Sequence, residues 1–389
     1  MKMKTINYIT LMLLITVSSM AQGIGNPPGV VVNHIGKETG RYIGSPSLCI
    51  LPDGTYIASH DEFGPRSSEY RSAQTLVFQS KDKGESWVKI AQIDGQFWSN
   101  LFFHNGSLYL MGTNKHHGNL VIRKSKDGGH TWTIPYRSDN GLLLEGEYHT
   151  APMPIVYHEG RIWRAIEYAT AATSEWGKRY SAMMVSAPSD SDLLNAGNWI
   201  KTNSLPYHSS YLNGKFGAWL EGNAVVDPEG NLVNILRVDV PAGMIEQAAV
   251  VRISQDGSTA IFNPATGFMP FPGGSKKFTI RYDDYSKRYW MLTNIVSPEY
   301  KDRHPAGIRN KQALCSSGDL KEWTVHEIVL EHPDVEKHGF QYVDWLFDGD
   351  DIVFLSRTAY DDEEGGANNN HDANFLTFHR IENFREFAK

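Results

Sequence analysis

The sequence predicts an all-β chain in which one four-stranded unit is used several times. Two observations carry this. Short β-branched and aromatic runs, punctuated by Gly, Asn and Asp, dominate the 389 residues, and no long amphipathic helix interrupts them. An eight-residue pattern also recurs. Ser80-Lys-Asp82-Lys-Gly84-Glu-Ser86-Trp87 returns as Ser125-Lys-Asp127-Gly-Gly129-His-Thr131-Trp132, with shortened copies at Ser254–Gly257 and Ser317–Trp323 and a looser one ending at Trp199.

The elements follow in chain order. Lys2 and Lys4 precede an apolar stretch from Ile6 to about Met20, and Ser19-Met20-Ala21 supplies small residues. This reads as a secretory signal over residues 1–21, cut after Ala21, with residues 22–389 as a single domain. Gln22, not a cysteine, stands directly after the cut, and no later stretch is long and apolar enough to span a bilayer. The mature chain is therefore expected to be exported, periplasmic or extracellular, soluble and monomeric. Removing Lys2 and Lys4 leaves 35 of the 37 basic residues against 44 acidic ones, with no basic block, so neither nucleic acid nor membrane is an expected partner. Cys49 and Cys315 lie in apolar strand-like runs and are expected as two buried free thiols, with a single bridge as the alternative.

Each full repeat makes sense as a hairpin turn. Ser and Asp side chains bond their own turn, Gly supplies positive φ, and Trp buries its ring with its N–H free to bond. A second turn precedes each repeat, at Asp53-Gly54, Asn105-Gly106, Glu159-Gly160, Glu229-Gly230 and Asp348-Gly349. The unit is then strand A, Gly turn, strand B, variable loop, strand C, repeat turn, strand D. Units fall at about 43–95, 96–140, 148–207, 216–272, 276–335 and 340–386, six by direct count. Residues 28–36 are expected to add an outer strand to the last unit and close a ring.

The eight-residue motifs resemble the Asp-box (BNR) repeats of the sialidase-like β-propellers, over nearly the whole mature chain. That resemblance implies a single propeller of four-stranded blades. In such blades the A–B and C–D turns share one face, and the B–C loops and D–A links share the other. The second face then receives His60-Asp61-Glu62, Asn114-Lys115-His116-His117, Glu167-Tyr168 and Arg357 from B–C loops. From the links it receives Gln96–Asn100, Glu147-Tyr148-His149, Trp219 with Glu221, and Tyr342–Trp345. A funnel lined by His, Arg, Tyr, Trp and carboxylates suits sugar recognition: aromatic faces stack on sugar rings, and Arg grips a carboxylate through parallel N–H groups.

Sialidases use an arginine triad, a Tyr–Glu nucleophile pair and an acid Asp. Their Arg-Ile-Pro signature is matched here by Tyr42-Ile43-Gly44-Ser45-Pro46, without the Arg, which makes sialidase the lesser expectation. Tyr42–Pro46, "LPDGTYIASHDEFGP", "GTNKHHGN" and "HDANFLTFHR" are similar to propeller α-L-rhamnosidases acting on rhamnose–glucuronic acid ends, and to the related ulvan lyases. That resemblance implies seven blades, a catalytic histidine placed at His60, and lyase-type roles at Tyr148 and Arg164. The expectation is an exo-acting glycoside hydrolase on uronate-containing polysaccharide, with His60 as general base; in elimination Tyr148 would give or take the proton. His116, His117, His149, Arg164, Glu221, Arg237, Trp345 and Arg357 are the expected substrate contacts. A polysaccharide lyase and a non-catalytic carbohydrate-binding propeller are the alternatives. No cofactor is expected. The histidine spacings give no metal-ligand pattern, and Asp361–Glu364 reads as a solvated loop before it reads as a calcium site.

Overall fold

A computed structural model describes residues 26–389. The expected signal at 1–21 and the first residues after it lie outside the described residues. Nearly all regular structure is strand, joined by short 3-10 turns. The strands form four small sheets of four or five strands and one eight-stranded sheet. The eight-stranded sheet is two four-stranded units in series, joined where Glu167 and Tyr168 pair with His149 and Tyr148. The described residues therefore contain six units, as the direct repeat count has it, and no seventh is found among them.

Blade 1 is Tyr42–Ile50, Tyr56–Phe63, Gln74–Ser80 and Val88–Asp94. Blade 2 is Phe97–His104, Ser107–Thr113, Gly118–Ser125 and Leu142–His149. Blade 3 is Val156–His158, Arg161–Tyr168, Ser181–Pro188 and Ile200–Lys201. Blade 4 is Ala218–Val226, Leu232–Asp239, Gln247–Ile253 and Ala260–Ile261, with Phe268–Pro270 also on its third strand. Blade 5 is Thr279–Asp283, Arg288–Asn294, Lys311–Ser317 and Trp323–Glu331. Blade 6 is Gly339–Asp348, Asp351–Ala359 and Phe375–Ile381, and Val30–His34 supplies its fourth strand by pairing antiparallel with Phe375–Phe378. The two ends of the described chain thus meet in one sheet, and hydrogen bonds close the ring.

The core is divided rather than central. Apolar layers fill the spaces between neighbouring blades: Ile43, Leu48, Tyr56, Leu355 and Phe378 between blades 6 and 1, and Ile57, Val77, Leu101 and Leu110 between 1 and 2. Met111, Ile162 and Met183 lie between 2 and 3, and Trp163, Trp219 and Leu236 between 3 and 4. Ile235, Phe278 and Met291 lie between 4 and 5, and Trp290, Trp345 and Phe354 between 5 and 6. Strands buried on both faces need continuous apolar runs, as these sequences have.

The repeated turns lock these layers. Ser80 Oγ donates to Asp82 (2.7 Å) and accepts from Gly84 N (2.8 Å), Ser86 N donates to Asp82 (2.9 Å), and Trp87 Nε1 donates to Gly84 O (3.1 Å). The second copy repeats each bond at Ser125, Asp127, Gly129, Thr131 and Trp132. Each Trp then packs onto the preceding blade: Trp87 on Phe378, Trp132 into the blade 1–2 layer, and Trp323 on Phe271. In the copy at Ser317, Leu320 adopts φ 65° where Gly84 and Gly129 stand. Cys49 and Cys315 are both buried and free, each thiol pushed up to about 12 by burial.

Gly54 and Gly84 separate backbone strain from packing. Both have positive φ, but a Cβ on Gly54 meets nothing within 4 Å, whereas one on Gly84 would lie 2.1 Å from the Phe378 ring. Gly54→Ala should cost about 1 kcal/mol for the left-handed conformation alone. Gly84→Ala should cost at least about 2 kcal/mol more, because the collision opens the blade 6–1 closure. Urea-unfolding midpoints of the two variants check this; equal midpoints contradict the account.

Candidate functional site

The inner strands of four blades carry the same irregularity near their starts. Two residues there face one on the partner strand, within Ile43–Pro46, Phe97–Asn100, Leu220–Asn223 and Gln341–Asp344. Each is a one-residue bulge, which breaks side-chain alternation and re-aims the side chains beyond it. The residues after Ile43, Phe97, Leu220 and Gln341 are Gly44, Trp98, Glu221 and Tyr342. Trp98, Glu221 and Tyr342 have φ of 47°, 54° and 55°, a conformation uncommon for non-glycine residues. Gly44 has no room for a side chain, since a Cβ there would lie 1.8 Å from Asp61 Oδ1.

All four bulges border one pocket of about 350 Å3 at the B–C loop end of the ring. On one side Tyr342, Glu221, Arg237, Arg309 and Arg357 converge. Arg237 Nη1 donates to Glu221 at 2.8 Å and its Nε to Ser275 O at 2.9 Å. Tyr342, on the same pocket wall, also favours the charged form of Glu221. The carboxyl of Glu221 is held below its ordinary range, with Arg237 the main opponent of burial, and the Arg237 guanidinium is raised in return. Arg357 lies over the rings of Phe63 (4.4 Å) and Tyr342 (4.8 Å) and donates to His371 O. Arg309 donates to Gln341 Oε1 and Ala306 O, with its guanidinium 5.7 Å from the Tyr342 ring. Burial lowers both Arg309, to about 10, and Arg357; among the described residues neither hydrogen-bonds a carboxylate, Arg309 faces Arg237 and Arg357, and Asp372, Asp61 and Glu221 oppose the shift of Arg357 from farther away. Two buried guanidiniums without a carboxylate ligand make a ready receptor for an anion.

The other side is aromatic and imidazole-rich. His149 Nδ1 bonds Glu167 at 2.7 Å, and its ring contacts Trp98 (4.4 Å) and Tyr180 (4.5 Å). His116 packs between Tyr70 and Trp98, both at 4.6 Å. His117 Nε2 lies 3.1 Å from the Tyr180 hydroxyl, and burial with neighbouring His149, His116 and Arg179 lowers it to about 2. Asp61 lies at the seam. Its Oδ1 accepts from Ser45 N and its Oδ2 from Trp98 N (2.6 Å), joining the bulges of blades 1 and 2, while burial pushes it up to about 7.

Six of the ten expected residues, His116, His117, His149, Glu221, Arg237 and Arg357, line this pocket; His60, Tyr148, Arg164 and Trp345 do not. His60 occupies the B-strand position that holds Met111, Ile235 and Leu355 in blades 2, 4 and 6, all core. It is fully buried, its Nε2 2.8 Å from Asn33 Nδ2 and its Nδ1 2.8 Å from Asp61 O, with the ring stacked on Phe78. Burial lowers it to about 4, so it is a neutral structural histidine, and strand alternation presents Asp61 instead. Tyr148 is likewise turned into the blade 2–3 layer against Tyr168, while its neighbour His149 faces the pocket. Arg164 lies beneath the floor, donating to Ala151 O (3.0 Å), Thr150 Oγ1 and Trp98 O. Trp345 is core, its Nε1 on Thr279 O.

Tyr342, Arg309, Trp98, Tyr180 and Asp61 were not among the expected site residues. The link and loop segments containing Tyr342, Trp98 and Asp61 were marked by their blade position, but the bulge that selects one residue in each has no sequence signal. A larger cavity of about 850 Å3 opens at the other end of the inner strands. It is lined largely by apolar side chains, and its buried Asp344 is paired with Arg281. Among the described residues no group of three or more His, Cys, Asp or Glu is placed to hold a metal ion. Among them too, no helix is long and apolar enough to cross a membrane.

No protein-family model and no curated protein sequence matches the chain. Solved structures do match in fold. An α-L-arabinanase of Penicillium chrysogenum complexed with arabinobiose superposes with TM-score 0.57 at 13% identity, covering 91% of this chain and 97% of that one. The GH93 α-L-arabinofuranosidase of Fusarium graminearum with arabinobiose gives 0.59 at 11%, covering 93% and 98%. A Hadza microbial sialidase gives 0.58 at 14%, covering 91% and 68%. At these identities the likeness is one of fold, a β-propeller also used by glycoside hydrolases.

The core role of His60 has a measurable consequence. His60→Ala should destabilise the protein by about 2–4 kcal/mol at pH 7.5, through the cavity and the stranded Asn33 amide. Because the folded-state pKa is depressed to about 4, the stability tied to this histidine is complete above about pH 6.5. It is lost as pH falls toward 4, when the unfolded chain takes up a proton the folded one refuses. At pH 5 the wild type should have given up about 2 kcal/mol that the variant never had, so the gap narrows. Denaturant titrations at both pH values check it; a gap independent of pH contradicts a buried neutral His60.

Proposed function

We propose that the protein is a retaining, exo-acting glycoside hydrolase that removes a carboxylate-bearing sugar from a glycan. The single observation behind this reading is the grouping of Arg237, Arg309 and Arg357 around Tyr342, on the same pocket wall as Glu221. Arg309 and Arg357 clamp the sugar carboxylate. Tyr342 attacks the anomeric carbon while Glu221 accepts its phenolic proton, so a neutral nucleophile is activated by an adjacent base. A neutral phenol suits this role, because an anionic nucleophile would repel the carboxylate attached beside the reacting carbon. Water then displaces Tyr342 from the sugar, giving net retention.

The rhamnosidase expectation needs His60 as base, and that side chain is enclosed, so the acidic sugar moves from neighbour of the cleaved residue to the cleaved residue itself. Arg357, from the second strand of blade 6, takes up the clamp function for which Tyr42–Pro46 has no arginine. The basic, apolar and small-residue order of residues 1–21 supports action outside the cytoplasm on environmental glycans.

A panel of aryl glycosides bearing sialic acid, glucuronic acid, galacturonic acid, arabinofuranose or rhamnose tests the reading, together with rhamnose-capped glucuronate oligosaccharides. The wild type should turn over a carboxylated member. Arg309→Ala should raise KM for it about 10–100-fold, and Tyr342→Phe should lower kcat by at least about 1,000-fold. Preferential turnover of the arabinofuranoside or rhamnoside, an unsaturated uronate product, or affinity without turnover would each overturn it.

A further inference from the structure

The same pocket needs a proton for the departing oxygen, and Asp61 is badly placed to supply it. Both of its oxygens are taken by backbone N–H groups, from Ser45 and Trp98, which belong to the bulges of two different blades. The residue is only 2% exposed. Swinging the carboxyl toward a glycosidic oxygen would release both bulges at once.

We propose that His149, held by Glu167, is the general acid/base of this site, an inference that rests on the glycosidase reading above. Glu167 is fully buried on the second strand of blade 3, and its Oε2 takes the Nδ1 hydrogen of His149 at 2.7 Å. That bond fixes ring orientation and leaves Nε2 as the atom with exchangeable proton capacity on the pocket side. Trp98 and Tyr180 hold the ring from two directions at 4.4 and 4.5 Å. The charged and titratable groups around it are Glu167, Glu221, His117, Tyr180, Arg179 and, beyond Glu167, Arg164. Two carboxylates face the ring, Glu167 in contact at 2.7 Å and Glu221 at longer range. Glu167 is a positioning residue and does not touch substrate.

The cycle balances. The His149 imidazolium gives its Nε2 proton to the glycosidic oxygen as the bond to the anomeric carbon breaks, and the leaving group departs as an alcohol. The Tyr342 oxygen bonds the anomeric carbon, and the phenolic proton goes to Glu221. Neutral His149 next takes a proton from water as that water attacks the same carbon. Tyr342 leaves and recovers its proton from Glu221, and the free sugar and resting enzyme are restored.

The test compares one carboxylated sugar linked either to 4-nitrophenol, which leaves without protonation, or to a simple alcohol, which does not. His149→Gln should lower kcat/KM on the alkyl glycoside by at least about 100-fold more than the rate of sugar transfer from the nitrophenyl glycoside, the scale of general acid catalysis. Added azide should recover turnover of the nitrophenyl substrate and leave a glycosyl azide of retained configuration. Turnover of the nitrophenyl compound also shows that the variant is folded. Glu167→Gln should lower kcat on the alkyl glycoside more than on the nitrophenyl glycoside and leave KM unchanged, because the His149 ring loses the carboxylate that orients it. Equal losses on both substrates for His149→Gln, or a leaving-group-dependent loss in Asp61→Asn instead, overturn the assignment. A wild type that cleaves neither glycoside overturns the glycosidase reading and this one with it, whereas cleavage by the wild type with no leaving-group effect at His149 overturns this one alone.

Discussion

A single extra residue in the inner strand of four blades organises the pocket. In a regular strand, neighbours point to opposite faces, and the inner strands of a propeller spend both faces on packing against adjacent blades. The bulge interrupts that alternation just where the strand meets the B–C loop end, so Trp98, Glu221 and Tyr342 depart from the packing pattern and face the axis. Each adopts left-handed φ, a local strain sustained by the well-packed layers beneath. The B-strand residue opposite the start of the bulge then falls beside it. In blades 4 and 6 that residue is Arg237 or Arg357.

Charge placement obeys this geometry. Six ionisable side chains, Asp61, Glu221, Arg237, Arg309, Tyr342 and Arg357, from blades 1, 4 and 6 and the loop entering the third strand of blade 5, meet where water is scarce, and isolated charges there are costly. Glu221 offsets Arg237, and aromatic faces and backbone carbonyls partly accommodate Arg357 and Arg309. The residual excess of positive charge is what an acidic ligand would neutralise. The opposite wall of imidazoles and rings has a different character, and Asp61 joins the two by tying the bulge of blade 1 to that of blade 2.

Much of the scaffold was legible. The Ser-Asp-Gly-Trp turns announced themselves because their hydrogen bonds run between residues two to four apart, so the whole device is written in one short stretch. The closing strand near residue 30 was legible for a similar reason: a β-branched run with no partner of its own must add to an existing edge. The two cysteines sat in apolar runs and are buried free thiols. The resemblance that implied a seventh blade rested on short segments, whereas the count of turn pairs followed the chain itself.

Local chemistry, then, determined the repeating unit, its strand order, the ring closure and the end of the ring at which unusual side chains collect. Tertiary structure decided which member of each adjacent pair faces inward: Asp61 and not His60, His149 and not Tyr148. A one-residue change in register moves every side chain to the other face, and that register is set by pairing with the neighbouring strands, Tyr42–Ile50 for Asp61 and Gly118–Ser125 for His149. It also decided the company each side chain keeps. Tyr342, Glu221 and Arg309 come from three blades, and only closure of the ring makes them neighbours.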